Sequence, residues 1–278
     1  MRAFLAFFRR FARNRPALFG AIALIVILLG ASIGPLLYPV DPFEMVGRPF
    51  QLPFGKFALG TDVAGRDLLA GILRGARVSL MIATVATAGA MIVGLLIGAI
   101  AGYYGGIVDN VLMAVTDFFL TIPSFVLAVV VVAIFQPSLA TVTAAIAVVS
   151  WPAVARLVRS EVLAQRDRDY VQACRAMGMS NVEIIFLQIL PNALPPIVVV
   201  ASLMVATAIL TESGLSFLGL ADPNVVSWGY MIGVARSALR TAWWMTAIPG
   251  VAILVTVLAI NLIGEGLNDA LNPRLRDR

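Results

Sequence analysis

Asp169-Tyr170-Val171-Gln172-Ala173-Cys174-Arg175-Ala176-Met177-Gly178, followed by Ser180-Asn181-Val182-Glu183 and closed by Leu190-Pro191, is a short polar stretch in a chain that is otherwise apolar. Its spacing predicts a brief helix, a stop and a second helix. Tyr170, Cys174 and Met177 recur at i, i+4 and i+7, which places them on one helical face. Gly178 sits where a helix ends most cheaply, because glycine alone enters the left-handed region without a Cβ penalty. Ser180 and Glu183 have the spacing of a capping box, each side chain answering an orphan N–H of the next helix. A stiff, capped helix on a polar loop between membrane spans suits a surface that another protein grips.

The remainder of the chain makes that loop an exception. Hydrophobic residues are 60% and charged residues 13% of the sequence, about half the charged fraction of a soluble domain. Mean hydropathy is +0.96. The composition predicts a polytopic membrane protein. The net charge of +5 does not indicate nucleic acid, since the arginines cluster between apolar runs and form no stripe. One cysteine excludes an internal disulfide, and the absence of histidine argues against a zinc or haem site. No stretch has the spacing of a phosphate-cradling P-loop, so ATP is not expected to bind this chain.

In order, residues 1–16 carry Arg2, Arg9, Arg10, Arg13 and Arg15 with phenylalanines between them. They predict a basic amphipathic segment on the cytoplasmic surface. Residues 17–38 are uncharged and, at about 1.5 Å each, cover the roughly 30 Å hydrocarbon layer, giving a first span. Residues 39–75 are rich in proline and mixed charge and read as a periplasmic loop. Residues 78–108 form the next uncharged run, in which Gly94 and Gly98 permit close helix packing.

Residues 118–155 are also uncharged, but a single helix of that length would measure about 57 Å. The run is therefore expected to divide at Gln136-Pro137-Ser138, with Asp117 and Pro123 in the inner half of its first span. Residues 184–211 and 241–264 complete six spans. Arg156, Arg159, Arg166, Arg168 and Arg175 place the loop at 156–189 in the cytoplasm, and Arg274, Arg276 and Arg278 do the same for the tail at 267–278. Residues 76–266 would form the five-helix core. Glu212 and Ser213, at the outer end of a span, are candidates for an outer gate or a substrate path.

On this topology the opening stretch resembles the coupling loop of permease subunits in bacterial ATP-binding-cassette importers, at Gln172, Ala173, Cys174, Gly178, Leu190 and Pro191. Gln172 replaces an acid of that motif and Cys174 an alanine. Leu59-Gly-Thr-Asp-Val-Ala-Gly-Arg-Asp67, Gly102-Tyr-Tyr-Gly-Gly106, Leu215-Ser-Phe-Leu-Gly219, Ser227-Trp-Gly229 and Asn261-Leu-Ile-Gly264 look like the dipeptide and oligopeptide branch, in its second permease subunit.

The resemblance implies an all-α, six-span permease of the type I importer fold in the bacterial inner membrane, with both termini cytoplasmic. It implies a second permease, two cytoplasmic ATPases that hold ATP and magnesium, a periplasmic binding protein and a peptide substrate, with no cofactor in this chain. The coupling helix would carry Tyr170, Gln172, Ala173, Cys174, Arg175, Met177 and Gly178, with Ser180 and Glu183 at its exit. A nickel chelate or glutathione is the alternative cargo, and a transporter independent of ATP is the alternative class. The latter predicts inverted repeats and charged mid-span helices, which the sequence does not offer.

Overall fold

In a computed structural model, residue 11 and residues 14–271 are described. Among them, five helices are long and apolar enough to cross a membrane, or six when a sharply bent pair is counted as one span. The helices are α1 (Arg15–Leu37), α2 (Leu68–Tyr104), α3 (Gly106–Thr121), α4 (Ser124–Phe135), α5 (Leu139–Arg166), α6 (Asp169–Ala176), α7 (Asn181–Phe217), α8 (Trp228–Ala235) and α9 (Trp244–Leu271). The only β-pairing among the described residues is two isolated antiparallel bridges, Met45 with Arg66 and Thr61 with Asp67.

Local chemistry sets most boundaries. Asn14 caps α1 by accepting from the Ala17 N–H. Asp67 caps α2 with Oδ1, at 2.7 Å from Leu69 N, while its Oδ2 accepts the Tyr38 hydroxyl at 2.5 Å. One carboxylate thus ties the end of α1 to the start of α2. Between them, Thr61 is fully buried, donating to the Arg48 carbonyl and accepting from Gln51 N. Helix α2 begins earlier than the charge pattern suggested. Residues 68–75 belong to it and not to the preceding loop, because the Asp67 cap outweighs the presence of Arg74.

The division of the long uncharged run occurs at two places, not one. Gln136-Pro137-Ser138 separates α4 from α5 as expected. A second break at Ile122-Pro123 bends α3 against α4 by 84°. Pro123 lacks the N–H that would have bonded back to α3, so the helix stops there.

The central packing is α2 along α5. Gly94, Gly98 and Gly102 recur every four residues on α2 and face Val154, Val158 and Val162, which recur every four residues on α5. A Cβ on Gly102 would come within 2.8 Å of the Arg159 carbonyl oxygen. The pair of glycines singled out in the sequence therefore packs within its own chain, and Gly102 extends the repeat. Helix α1 lies against α9 at one end and α2 at the other, with Gly20 close to the Ala259 carbonyl and Gly34 close to Leu73. Three buried clusters result. The largest joins Ile82, Ile146, Ile209, Trp228 and Met245, the second joins Val158, Val162, Val171, Cys174, Ile184 and Ile185 around α6, and the third joins Ala90, Trp151 and Ala155.

Candidate functional site

Helix α6 spans Asp169–Ala176, with Asp169 in its first turn, where a negative charge suits the helix dipole. Its end is a Schellman turn. The Met179 N–H reaches the Cys174 carbonyl, the Gly178 N–H reaches Arg175, and Gly178 has φ of +77°. The capping box follows as expected. Glu183 N donates to Ser180 Oγ at 3.3 Å, and Ser180 N donates to Glu183 Oε2 at 2.9 Å. Stop and restart are thus written by adjacent residues, which fixes the angle between α6 and α7.

The buried face does not coincide with the Tyr170–Cys174–Met177 face that the spacing groups together. Val171 and Cys174 turn into the cluster with Val158, Val162 and Ile184, and Tyr170 is half-buried with its hydroxyl donating to Gln165 Oε1. Met177 is 72% exposed. The i, i+3 pair Val171–Cys174 forms the inward stripe, because an eight-residue helix has only two turns and Met177, its C-cap, lies beyond the supporting core. Tyr170 and Cys174 therefore support the helix from within and do not form its outer face. The outward side chains are Gln172, Ala173, Arg175, Ala176 and Met177.

Beneath α6 lies the turn Gly102-Tyr-Tyr-Gly-Gly106. The Tyr103 hydroxyl donates to Asn181 Oδ1 at 2.8 Å, and the Arg175 guanidinium lies 5.2 Å from the Tyr103 ring centroid. Arg166 donates to the Gly102 carbonyl. Asp109, in the first turn of α3, forms a two-pronged pair with Arg159, with its second prong at 2.6 Å. Tyr103 therefore joins the exit of α6 and the first residue of α7 to the junction of α2 and α3. Sequence reasoning matched this turn only as a motif. The available signal was two tyrosines between glycines, next to the lone acid of that stretch, Asp109.

The start of α7 is also unusual. Residues Ile184–Ile189 are wound as a π-helix. Leu190 is buried and Pro191 exposed, and Asn192 Nδ2 donates to the Gln188 carbonyl at 2.7 Å. Pro191 and Asn192 do not start a new helix. The helix runs unbroken from Asn181 to Phe217, and the π segment provides the change of register that the prolines at 191, 195 and 196 require.

Asp117 and Arg156 pair at 2.6 Å between α3 and α5, with both side chains more than half exposed. Glu212 is 3% exposed, and its Oε1 accepts from Ser216 Oγ at 2.9 Å and Ser227 Oγ at 2.7 Å. Ser227 caps α8, and a Cβ on Gly229 would lie 2.6 Å from Glu212 Oε2. Glu212 thus faces α8 inside the chain, because the helical period groups it with buried Ile209 and Ser216. Ser213 is half-buried and donates to the Ile209 carbonyl.

Comparison with known proteins gives a consistent result. Residues 94–277 match the family model described as the binding-protein-dependent transport system inner membrane component. Residues 4–53 match the N-terminal transmembrane domain of oligopeptide transport permease C. The chain is 40% identical to a di/tripeptide transport system permease protein of Pseudomonas aeruginosa over 98% of this chain and 92% of that one. It is 39% identical to a dipeptide transport system permease protein of Haemophilus influenzae, over 96% and 93%. A glutathione transport system permease protein of Pectobacterium atrosepticum is 37% identical, over 97% and 91%. The fold resembles that of an inward-facing methionine transporter, MetNI, with a TM-score of 0.60 at 20% identity, covering 73% of this chain and 96% of that one. An amino acid ABC transporter gives 0.54 at 16% identity, over 68% and 89%.

Proposed function

The chain belongs to the binding-protein-dependent transport system inner membrane component family, and from that premise we propose that it forms half of a translocation path for di- and tripeptides, driven through α6 by separate ATPases. Members of this family are transport permeases of the inner membrane, not enzymes.

In this reading the arginine-rich end is cytoplasmic. Two ATPase subunits hold ATP and magnesium, and one of them receives the outward face of α6. A second permease completes the path, and a periplasmic binding protein delivers the peptide. The observation that carries the reading is the capped, eight-residue helix whose inner stripe, Val171 and Cys174, is locked to its own chain while Gln172, Ala173, Ala176 and Met177 remain exposed. Small side chains permit close docking, and Gln172 supplies a hydrogen bond. Arg175, placed over Tyr103, works toward its own chain as well as toward the ATPase. When the ATPases close, α6 shifts as a stiff unit. Tyr103 carries that shift to the α2–α3 junction, and Asn181 carries it to α7.

Peptides are favoured over other cargo because the relatives covering 90% or more of their own length include a di/tripeptide and a dipeptide permease. The glutathione permease relative supports a modified tripeptide as the second reading. The test is ATP hydrolysis and uptake by the assembled complex in proteoliposomes with its binding protein. Dipeptides should stimulate both. Stimulation by glutathione and not by dipeptides would replace the first reading with the second, and uptake without ATP would overturn both.

A further inference from the structure

Arg74 and Arg77 stand one turn apart on α2, and neither forms an ion pair among the described residues. Arg74 is half-buried, and its Nε is enclosed without a hydrogen-bond partner. Arg77 is exposed and lines a groove of about 530 Å³ between α1, α2, α7 and α9. The nearby acids in sequence are engaged elsewhere. Asp67 holds the α2 cap and the Tyr38 hydroxyl, and Asp62 holds the N–H groups of Ala64 and Arg66.

The groove has a structural cause. Helix α1 touches α2 near Gly34 and α9 near Gly20, so it leans away from α2 between those points. Leu24, Leu28, Leu80, Val205, Ile260 and Ile263 line the gap, with Arg77 among them. From Leu24 to Ala31 the groove runs about 10 Å along α1. A guanidinium does not lose its proton, and its planar fork matches phosphate oxygens. Two of them a turn apart repel each other and attract a counter-charge. The occupant must therefore combine an anionic head with a hydrocarbon tail.

We propose that this groove is a binding site for an anionic phospholipid, whose phosphate sits at Arg77, one turn from Arg74, and whose acyl chain lies between α1 and α9. A net negative headgroup is selected over a zwitterionic one because the lining carries the positive charge of Arg77 and no acid, with the second cation, Arg74, one turn away on α2. The lipid would fasten α1 to the bundle where protein contact is missing.

The experiment uses the complete complex, co-expressed with its partner subunits, purified in detergent and exchanged into micelles containing phosphatidylglycerol or phosphatidylcholine. Bound phospholipid per complex is then counted by native mass spectrometry. Arg77→Gln should lower retained phosphatidylglycerol about five-fold, Arg77→Lys should retain most of it, and Leu28→Trp, which fills the groove, should displace it. Phosphatidylglycerol held at the wild-type level by both Arg77→Gln and Leu28→Trp overturns the proposal. So does an Arg77→Gln complex that sheds its second permease while keeping its lipid, since the groove would then be a protein interface.

Discussion

The chain makes two helix-to-helix turns with the same devices and to different ends. At Ala176–Ser180 a Schellman glycine, Gly178, is followed by a serine cap, Ser180. At Phe217–Ser227 another Schellman glycine, Gly219 with φ of +87°, is followed by the serine cap Ser227. At the first turn the carboxylate paired with the cap is Glu183, exposed and local. At the second it is Glu212, buried and contributed by the preceding helix. The second turn thus consumes its polar groups within the chain, welding α8 to α7. It is reinforced by Trp228, whose backbone N–H donates to Ser79 Oγ and whose ring N–H donates to the Ile72 carbonyl. The first turn satisfies its own backbone and leaves side chains over. A surface meant for a partner and a surface meant for the same chain are told apart by where the acid stands.

Substitutions should separate the two turns, and the largest effect belongs to the buried acid. Glu212→Ala leaves the Ser216 and Ser227 hydroxyls enclosed without an acceptor, and should cost about 3 kcal/mol of stability. A lowered melting temperature of the purified complex checks it, and an unchanged one would show that α8 is held by packing alone. Next, Gly178→Ala and Gly219→Ala each force a Cβ into the left-handed region, at about 1 kcal/mol apiece. Their readouts should diverge. Both should lower the melting temperature by a few degrees, but only Gly178→Ala should also lower uptake per ATP hydrolysed.

Tyr103→Phe removes the bond to Asn181 but keeps the ring under Arg175. It should cost about 1 kcal/mol, read as partial loss of coupling in the same uptake-to-hydrolysis ratio. Tyr103→Leu, which loses both contacts, should exceed it. The smallest effect is a titration at the end away from α6. The hydrogen bond to Asp67, helped by burial and by the carboxylate charge, pushes the Tyr38 hydroxyl up to about 12. A raised value means that its stabilisation is complete below the ordinary tyrosine value of about 10 and is lost as pH rises through 12. One of the five tyrosines should ionise late in an ultraviolet absorbance titration, and Tyr38→Phe should remove that phase.

The exposed turn was legible in the sequence because its grammar is local. Gly178, Ser180 and Glu183 lie within six residues and satisfy one another, so spacing alone predicted them. The buried turn was not, since Glu212 and Ser227 are fifteen residues apart and meet only after α8 folds back. Helix count and class followed from uncharged runs, yet the bend at Pro123 was hidden because it falls inside an uncharged run, where nothing in the charge pattern marks a break. The face read from Tyr170, Cys174 and Met177 is split in the structure, its first two residues covered and Met177 exposed, for a related reason. Periodicity names a face, but the core beneath decides how far along the helix that face is covered. Tyr103 shows the same limit, since a hydroxyl in the sequence does not announce a partner 78 residues away.

The glycine ladder on α2 has a consequence for how the protein is made. Gly94, Gly98 and Gly102 leave the ribosome before Val154, Val158 and Val162, the residues that fill their grooves. At translation rates of about 5–20 residues per second, α2 waits some seconds for α5. During that interval a 37-residue helix stands in lipid with a bare backbone strip along one side. The nascent membrane protein therefore passes through a stage when a foreign helix with small side chains could occupy the strip first, and insertion factors that shelter α2 until α5 arrives would protect the yield more than the rate.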